Sequence, residues 1–206
     1  MPSGGKRCFG EGDPLYEHYH DTEWGYPVTD EHGVYERLCL EAFQAGLSWR
    51  TVLHKREAFR TAFAGFDPNR VARYTQRDTE RLMRDAGIIR NRGKIEAAIG
   101  NAKAVLELHD GGGSLVALIW SFAPPRARAP CSHAEVPATT PQSEALSKTL
   151  RKLGFRSVGP TTAYAMMQAI GLVNDHLAAC PVRADVERER VAALEKLGQS
   201  RRPTRR

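Results

Sequence analysis

The sequence has 206 residues, of which 41% are hydrophobic, and its formal net charge is +6 with a pI near 9.3. This length can bury a sizeable core, so one globular domain is expected. No apolar run follows Lys6 and Arg7, and no stretch nears the length of a membrane span, so we expect a cytoplasmic protein. The positive charge favours an anionic partner such as nucleic acid.

Residues 13–25, DPLYEHYHDTEWG, concentrate aromatic and charged side chains. Tyr16, Tyr19 and Trp24 offer flat faces and hydrogen-bond donors, and His20 offers a nitrogen that titrates or binds a metal. Such a mixture suits a site for a flat ligand. The alternative is that these rings only pack on the core.

Residues 32–45 predict a helix that is capped by Asp30. Glu41 lies in the middle of a helical face whose other positions are apolar. A carboxylate buried there must find donors or have a raised pKa, and both are typical of a working group. The alternative is a structural ion pair with Arg37 or Arg50.

The rest of the chain predicts helices and no recurring strands, so the fold class is all-α. Helices are predicted at residues 48–63, 69–74, 78–86, 95–108, 143–153 and 161–170, with a short apolar element at 115–122 and a loop at 123–141. Residues 90–94 alternate basic residues and glycine, which suits contacts with phosphates or a solvated connector. Residues 1–182 are expected to form one domain, and 183–206 a solvated helix followed by a disordered basic tail.

A glycine-bearing turn between two predicted helices lies at residues 154–160. The run VGPTTA resembles the second half of a helix-hairpin-helix element, in which turn amides at a helix N-terminus bind DNA phosphates. Ser157, Gly159 and Thr161 are the candidate DNA-backbone residues of this turn.

His176 and Cys180 are four residues apart, so both side chains can point at one metal ion. Two ligands do not complete a structural zinc site, and Cys8 and His20 are candidates for the other two. The alternative is that the cysteine is simply packed in the interior.

Several long blocks in the same order together resemble the 3-methyladenine DNA glycosylase I family from Cys8 to about Cys180. They are DPLYEHYHDTEWG, LCLEAFQAGLSWRTVLHKRE, FDPNRVA, DAGIIRNRGKIEAAIGNA, WSF and ALSKTLRKLGFRSVGPTTAYAMMQAIGLVNDH. The resemblance implies a helix-hairpin-helix DNA glycosylase fold with a structural zinc site that joins the N- and C-terminal segments. It also implies a monomeric DNA repair enzyme that removes 3-methyladenine from alkylated double-stranded DNA by hydrolysing the N-glycosidic bond.

The resemblance also implies roles for individual residues. We infer that Trp49 and a ring from residues 13–25 sandwich a flipped base, while Glu41 and Tyr19 hydrogen-bond its edge. A carboxylate in a low-dielectric pocket attracts a cationic base far more than it would in water. The implied base pocket is Tyr16, Tyr19, Trp24, Glu41 and Trp49, and the implied zinc ligands are Cys8, His20, His176 and Cys180.

Departures from related glycosylases bear on the chemistry. Thr161 occupies the position of the lysine that glycosylase/lyases use, so a Schiff base and strand cleavage are not expected. Asn174 occupies the position of their aspartate and cannot be a general base, and Asp175 is one position away, so the water-activating group stays open. The family often has a tryptophan two residues after Cys8, where this chain has Gly10; Phe9 is a candidate substitute.

Two other functions compete with a monofunctional glycosylase. One is a noncatalytic zinc-stabilised protein that binds damaged DNA through the hairpin. The other is a glycosylase/lyase of broader substrate range, against which Thr161 argues.

Overall fold

The structure is a computed structural model that describes residues 6–125 and 128–200. Across these ranges it contains helices and loops without a strand, which confirms the all-α prediction. None of these helices is both long and apolar enough to cross a membrane. The predicted basic tail at residues 201–206 lies outside the described residues.

The helices are, in chain order, α1 (Pro14–Thr22), α2 (Glu31–Gln44), α3 (Trp49–His54), α4 (Arg56–Ala62), α5 (Pro68–Val71), α6 (Gln76–Arg84), α7 (Arg92–Asp110), α8 (Leu115–Trp120), α9 (Pro141–Lys152), α10 (Pro160–Ala169) and α11 (Arg183–Ser200). Two short 3-10 helices lie at Ala64–Phe66 and His133–Glu135. The predicted helices are therefore present with ends shifted by a few residues, except that residues 48–63 form two helices.

Helix α2 lies at the centre of the fold. Every residue from Val34 to Phe43 is buried, and α2 contacts α3, α7, α8 and α10. A helix covered on all sides needs apolar residues around its whole circumference. Its last turn is capped by Lys94, whose Nζ donates to the carbonyl oxygens of Phe43 (2.9 Å) and Ala45 (2.6 Å). The Lys94 ammonium therefore stabilises a helix end.

Residues 48–63, predicted as one helix, form α3 and α4 because the chain turns at Lys55. The Lys55 amide bonds the carbonyl oxygen of Val52, three residues back, at 3.0 Å. Its Nζ donates to the carbonyl oxygens of Ala86 (2.9 Å) and Gly87 (3.2 Å). No glycine or proline marks this turn, so the apolar periodicity gave no sign of it.

Helix α11 is docked on the fold, whereas its charges predicted a solvated helix. Val186, Arg190 and Ala193 form a buried face. The Arg190 guanidinium donates to the carbonyl oxygens of Leu172 (2.9 Å) and Pro124 (3.0 Å). A buried arginine that satisfies main-chain carbonyls cannot be told from a solvated one by spacing alone.

A network of partly buried ion pairs joins α2 and α4 to the chain just before Trp24. Glu23 accepts from Arg37 at 2.8 Å and from both terminal nitrogens of Arg56 at 2.6 and 2.8 Å. Glu36 accepts from Arg60 at 2.7 Å. Because Arg37 and Arg56 are themselves buried, loss of Glu23 would leave two buried charges without this partner, so these ion pairs help to fix the chain next to Trp24.

Buried polar side chains shape the turn between α9 and α10. Asn101 brackets Arg156, because its Oδ1 accepts from the Arg156 amide at 2.7 Å and its Nδ2 donates to the Arg156 carbonyl oxygen at 3.1 Å. Ser147 Oγ donates to the carbonyl oxygen of Val158 at 2.6 Å. Between these anchors Ser157 has φ +57°, a left-handed conformation that favours glycine.

We expect Ser157→Gly to raise the free energy of unfolding by about 0.5–1 kcal/mol. The substitution removes a left-handed strain of about 1–2 kcal/mol and adds some entropy to the unfolded chain. Urea unfolding measures the difference. Ser132→Gly is the matched control, because Ser132 has extended backbone at φ −147° and should lose stability. If both substitutions changed the free energy of unfolding equally, the proposal that Ser157 is strained would be wrong.

Candidate functional site

Helices α1, α2, α3 and α10, together with Phe9 and Trp24 beside α1, enclose a cavity of about 120 Å³. Most of its wall is aromatic, and one carboxylate faces it. Its lining is Phe9, Tyr16, Tyr19, Trp24, Glu41, Gln44, Trp49, Ala165 and Gln168. All five residues that the sequence assigned to a base pocket therefore line this one cavity.

Helix α1 directs side chains to two different sites, because residues on different faces of one helix point in different directions. Asp13 caps its first turn by accepting from the amides of Leu15 and Tyr16, both at 3.2 Å. Tyr16 and Tyr19, three residues apart, lie on the face towards the cavity, and His20 points towards the metal ligands described below. One short helix therefore contributes to both sites.

Asp13 also joins α1 to α3, the helix that carries Trp49. Its Oδ2 accepts from Arg50 Nε at 2.6 Å and from His54 Nε2 at 2.7 Å. The hydrogen bond from His54, with help from Arg50, lowers the pKa of Asp13 to about 2. Asp13 thus holds two aromatic walls of the cavity together.

The ring contacts limit where a flat ligand can lie. The Tyr19 and Trp49 rings are in direct contact, with centroids 5.2 Å apart, so no base lies between these two. Phe9 packs against Tyr16 at 4.8 Å and against Trp24 at 4.9 Å. Phe9 therefore lies in the cavity wall, and its role as a substitute for the family's tryptophan stays a prediction.

Glu41 is the buried acid of the cavity, with 5% of its surface exposed. Burial raises its pKa to about 8, and the Arg37 charge one turn away opposes that rise. The alternative ion pairs do not form, because Arg37 bonds Glu23 and Glu36 and Arg50 bonds Asp13. Within the described chain, no hydrogen bond reaches the Glu41 carboxyl group, which leaves it available to a ligand.

The raised pKa of Glu41 makes stability depend on pH. The folded protein keeps the Glu41 proton up to pH 8, whereas the unfolded chain loses it near pH 4.5. Stability from this group is therefore full below pH 4.5 and is lost as pH rises to 8, at no more than about 1.4 kcal/mol per pH unit. We expect Glu41→Gln to gain stability over wild type across this window in urea unfolding. If the free energies of unfolding of wild type and Glu41→Gln changed with pH in parallel, this prediction would be wrong.

Four side chains form a second cluster that can hold a metal ion. Cys8, His20, His176 and Cys180 are all buried, and their ligand atoms lie within 4.8 Å of one another. Cys180 Sγ lies 3.5 Å from His20 Nε2 and 3.3 Å from His176 Nδ1, and Cys8 Sγ lies 3.6 Å from His176 Nδ1. The pKa of Cys180 is lowered because the Cys8 thiol and both imidazoles hydrogen-bond to it.

The outer atoms of the two imidazoles have partners that fix their orientation. His20 Nδ1 contacts Asp21 Oδ1 at 2.8 Å, and His176 Nε2 contacts the Trp24 carbonyl oxygen at 2.9 Å. If these outer nitrogens carry the imidazole protons, His20 Nε2 and His176 Nδ1 are unprotonated and their lone pairs face the cysteine sulfur atoms. Gly25, with φ +81°, has His176 so close that an added Cβ would lie 3.2 Å from the ring. The cluster therefore also positions Trp24.

The turn residues assigned to the DNA backbone lie at the surface. Ser157 and Thr161 are exposed and Gly159 is half-buried; Gly159 is the N-cap of α10. Asn174 faces away from this turn, since its Nδ2 donates to the carbonyl oxygen of Arg183 and to Glu187, both at 3.1 Å.

Gln44, Ala165 and Gln168 line the cavity and were not found from the sequence. Gln44 is three residues after Glu41, so the helical period placed it within reach. Ala165 and Gln168 come from α10, and the sequence carries no signal that α10 packs against α2 to complete the wall. A second cavity of about 290 Å³ is lined by Tyr164 of α10 together with residues of the loop before α9 and of α11.

Comparison with known proteins gives a consistent result. The methyladenine glycosylase family matches residues 9–184. The DNA-3-methyladenine glycosylase 1 of Escherichia coli K12 is 52% identical over 170 residues, which cover 82% of this chain and 91% of that protein. The DNA-3-methyladenine glycosylase of Haemophilus influenzae is 46% identical over 180 residues, covering 86% and 97%.

Solved structures show the same fold. A crystal structure of 3-methyladenine DNA glycosylase I matches with a TM-score of 0.83 at 49% identity, over 85% of this chain and 98% of that one. The Staphylococcus aureus glycosylase, solved to explain its recognition of 3-methyladenine, matches with a TM-score of 0.82 at 36% identity, over 86% and 95%.

Proposed function

Because the chain belongs to the methyladenine glycosylase family, we propose that it is a DNA-3-methyladenine glycosylase of base excision repair. It would flip 3-methyladenine out of alkylated double-stranded DNA and hydrolyse the N-glycosidic bond. The observation that carries the proposal is the buried carboxyl group of Glu41 in an aromatic cavity. A flipped base needs flat rings and edge-reading groups because it has lost its neighbours in the duplex.

The cavity offers polar atoms that suit a cationic purine. Glu41 attracts the positive charge in a low-dielectric site, and binding of a cation would shift the carboxyl group to its ionised form. The indole Nε1 of Trp49 is buried and lacks a hydrogen-bond partner among the described residues, which leaves a donor for a ring nitrogen. Tyr19 adds a hydroxyl group whose pKa burial raises well above its usual value, so it remains a donor.

Two surface elements would hold the DNA. The turn at Ser157, Gly159 and Thr161 would bind backbone phosphates through exposed amides and hydroxyl groups. Leu47, which is 43% exposed, lies on the loop between Gln44 and Trp49, which both line the cavity. We propose that this apolar side chain inserts between bases next to the flipped one, as apolar wedges do in other DNA-binding proteins.

The chemistry proposed needs no covalent enzyme intermediate. Methylation makes the base cationic, and the base leaves as a neutral molecule when the N-glycosidic bond breaks, so the protein supplies no proton to it. Water adds to the sugar carbon and releases one proton. Thr161 has no amine with which to form a Schiff base, so we expect borohydride to trap no protein–DNA complex.

We propose that the metal is structural zinc held by Cys8, His20, His176 and Cys180. Zinc bonds of about 2.3 Å to sulfur and 2.0–2.1 Å to nitrogen put tetrahedral ligand atoms roughly 3.5 Å apart. The sulfur–nitrogen distances of 3.3 to 3.6 Å fit that value. Four protein ligands leave no open position for substrate, which is typical of a structural site.

The remaining parts of the proposal concern the whole protein. Residues 1–182 would act as one glycosylase domain, on which α11 of the charged segment 183–206 is docked, and the protein would work as a cytoplasmic monomer. Free cysteines at all four positions are consistent with a reducing compartment.

The test is release of bases from methylated duplex DNA, followed by chromatography. Wild type should free 3-methyladenine and leave an intact strand with an abasic site. Binding to methylated DNA without any release would favour the noncatalytic damage-binding protein instead. Strand cleavage with a borohydride-trapped complex would favour a glycosylase/lyase.

A further inference from the structure

Helix α10 carries a polar cluster at the border between the two cavities. Gln168 lines the aromatic cavity, while Tyr164 and Asp175 line the larger one. Asp175 Oδ2 accepts from Gln168 Nε2 at 2.9 Å and from Tyr164 Oη at 2.7 Å. We propose that Gln168, oriented by Asp175, is a specificity residue that reads the amino group of adenine and rejects guanine. This inference rests on the proposed function.

The hydrogen-bond partners decide which end of the Gln168 amide faces the cavity. A carboxylate only accepts hydrogen bonds, so the group that faces Asp175 is the amide NH2. Tyr164 remains a donor to the same oxygen, since burial and Asp175 raise its pKa. The amide of Gln168 is therefore fixed with its carbonyl oxygen turned away from Asp175, and no hydrogen bond within the described chain uses that oxygen.

The cavity thereby gains a fixed acceptor from α10. Adenine carries an amino group at C6, which donates, whereas guanine carries a carbonyl oxygen there, which accepts. A fixed carbonyl oxygen hydrogen-bonds the first and repels the second. A site that holds a polar atom in place for one group discriminates against a base that lacks this group, because the atom then loses its hydrogen-bond partner.

Asp175 acts through Gln168 and is a positioning residue. Replacing its carboxylate by an amide would offer both a donor and an acceptor, so the Gln168 amide could turn over. Asp175→Asn should therefore weaken the discrimination without removing any atom from the cavity wall. A purely structural role for the cluster would lower stability and leave the preference between bases unchanged.

The experiment compares methylated adenine with methylated guanine in two ways. The first is release of 3-methyladenine and 3-methylguanine from methylated duplex DNA. The second is binding of the two free bases, followed by tryptophan fluorescence, which needs no catalysis. For Gln168→Met we expect a loss of about tenfold in 3-methyladenine release and binding, from one hydrogen bond of about 1.4 kcal/mol. The adenine-to-guanine ratio should fall by at least as much.

Two controls make the comparison decisive. Gln76→Met removes another amide that pairs with a carboxylate, Glu80, at 3.4 Å, on the exposed α6, and should change neither ratio. Metal content is measured in Asp175→Asn, because His176 is adjacent, and should equal that of wild type.

The outcomes separate the two proposals. Suppose that wild type binds 3-methyladenine in preference to 3-methylguanine, that Gln168→Met abolishes this preference, and that no form releases a base. This result would support the specificity residue and refute the glycosylase. Release by wild type with an unchanged base ratio in Gln168→Met would refute the specificity residue alone. Absence of both release and binding would refute both.

Discussion

Glu41→Gln is expected to lower kcat/KM for 3-methyladenine release by about 10²- to 10³-fold. The carboxyl group is buried and unpaired in the described chain, so it is the one acid positioned to meet a cationic base in the cavity. Truncating one partner of a buried charge-assisted hydrogen bond costs about 2–5 kcal/mol, and 1.4 kcal/mol is tenfold. The glutamine keeps the size of the side chain, so the loss reports charge rather than shape.

The matched control is Glu57→Gln on α4. The Glu57 side chain is 79% exposed and pairs with Arg60 at the surface, so Glu57→Gln should release 3-methyladenine at the wild-type rate. The same urea unfolding curves that test the pH dependence of Glu41→Gln show whether the variant is folded. Wild-type release by a folded Glu41→Gln protein would remove Glu41 from the proposed mechanism.

Cys180→Ser is expected to cost the protein its zinc and several kcal/mol of folding free energy. Binding at a site that exists only in the folded chain contributes directly to folding, and a hydroxyl group is a poor zinc ligand. For a chain of this size each kcal/mol shifts Tm by about 2–4 °C, so a fall of roughly 10 °C or more is expected. Elemental analysis and thermal unfolding measure the two effects.

Cys131→Ser is the control for the loss of a thiol. Cys131 is free and exposed and lies outside the metal cluster, so this variant should keep one zinc per chain and the wild-type Tm. Because His176 bonds the Trp24 carbonyl oxygen, Cys180→Ser should also weaken binding of free 3-methyladenine. A metal-free wild type with unchanged Tm and activity would contradict the zinc proposal.

The sequence predicted the helices well where one face or the whole circumference is apolar. The central α2 is the best example, because burial on all sides leaves a pattern that no solvated helix has. The turn at Lys55 was missed because it depends on distant carbonyl acceptors at Ala86 and Gly87. The docking of α11 was missed for a related reason, since buried Arg190 looks like any surface arginine in sequence.

The site was predicted by residue type and resemblance, while its geometry was not. An unexpected glutamate on an apolar face pointed to Glu41 directly. The rings of Tyr16 and Trp24 could be assigned to a pocket, but the direct contact of Tyr19 with Trp49 follows only from how α1 packs on α3. The sequence did not indicate Gln168, because the orientation of its amide depends on Asp175, which lies in the loop after α10.

The metal cluster has a consequence for the order in which the protein becomes active during synthesis. His20 and Cys180 are 160 residues apart, so a ribosome needs roughly 8–32 s to pass from one to the other. In that interval α1 carries its tyrosines without the distant ligands that fix its end. We expect a nascent chain that stops before Cys180 to be unable to grip a base. Incomplete chains of the enzyme would therefore not bind or excise bases of intact DNA.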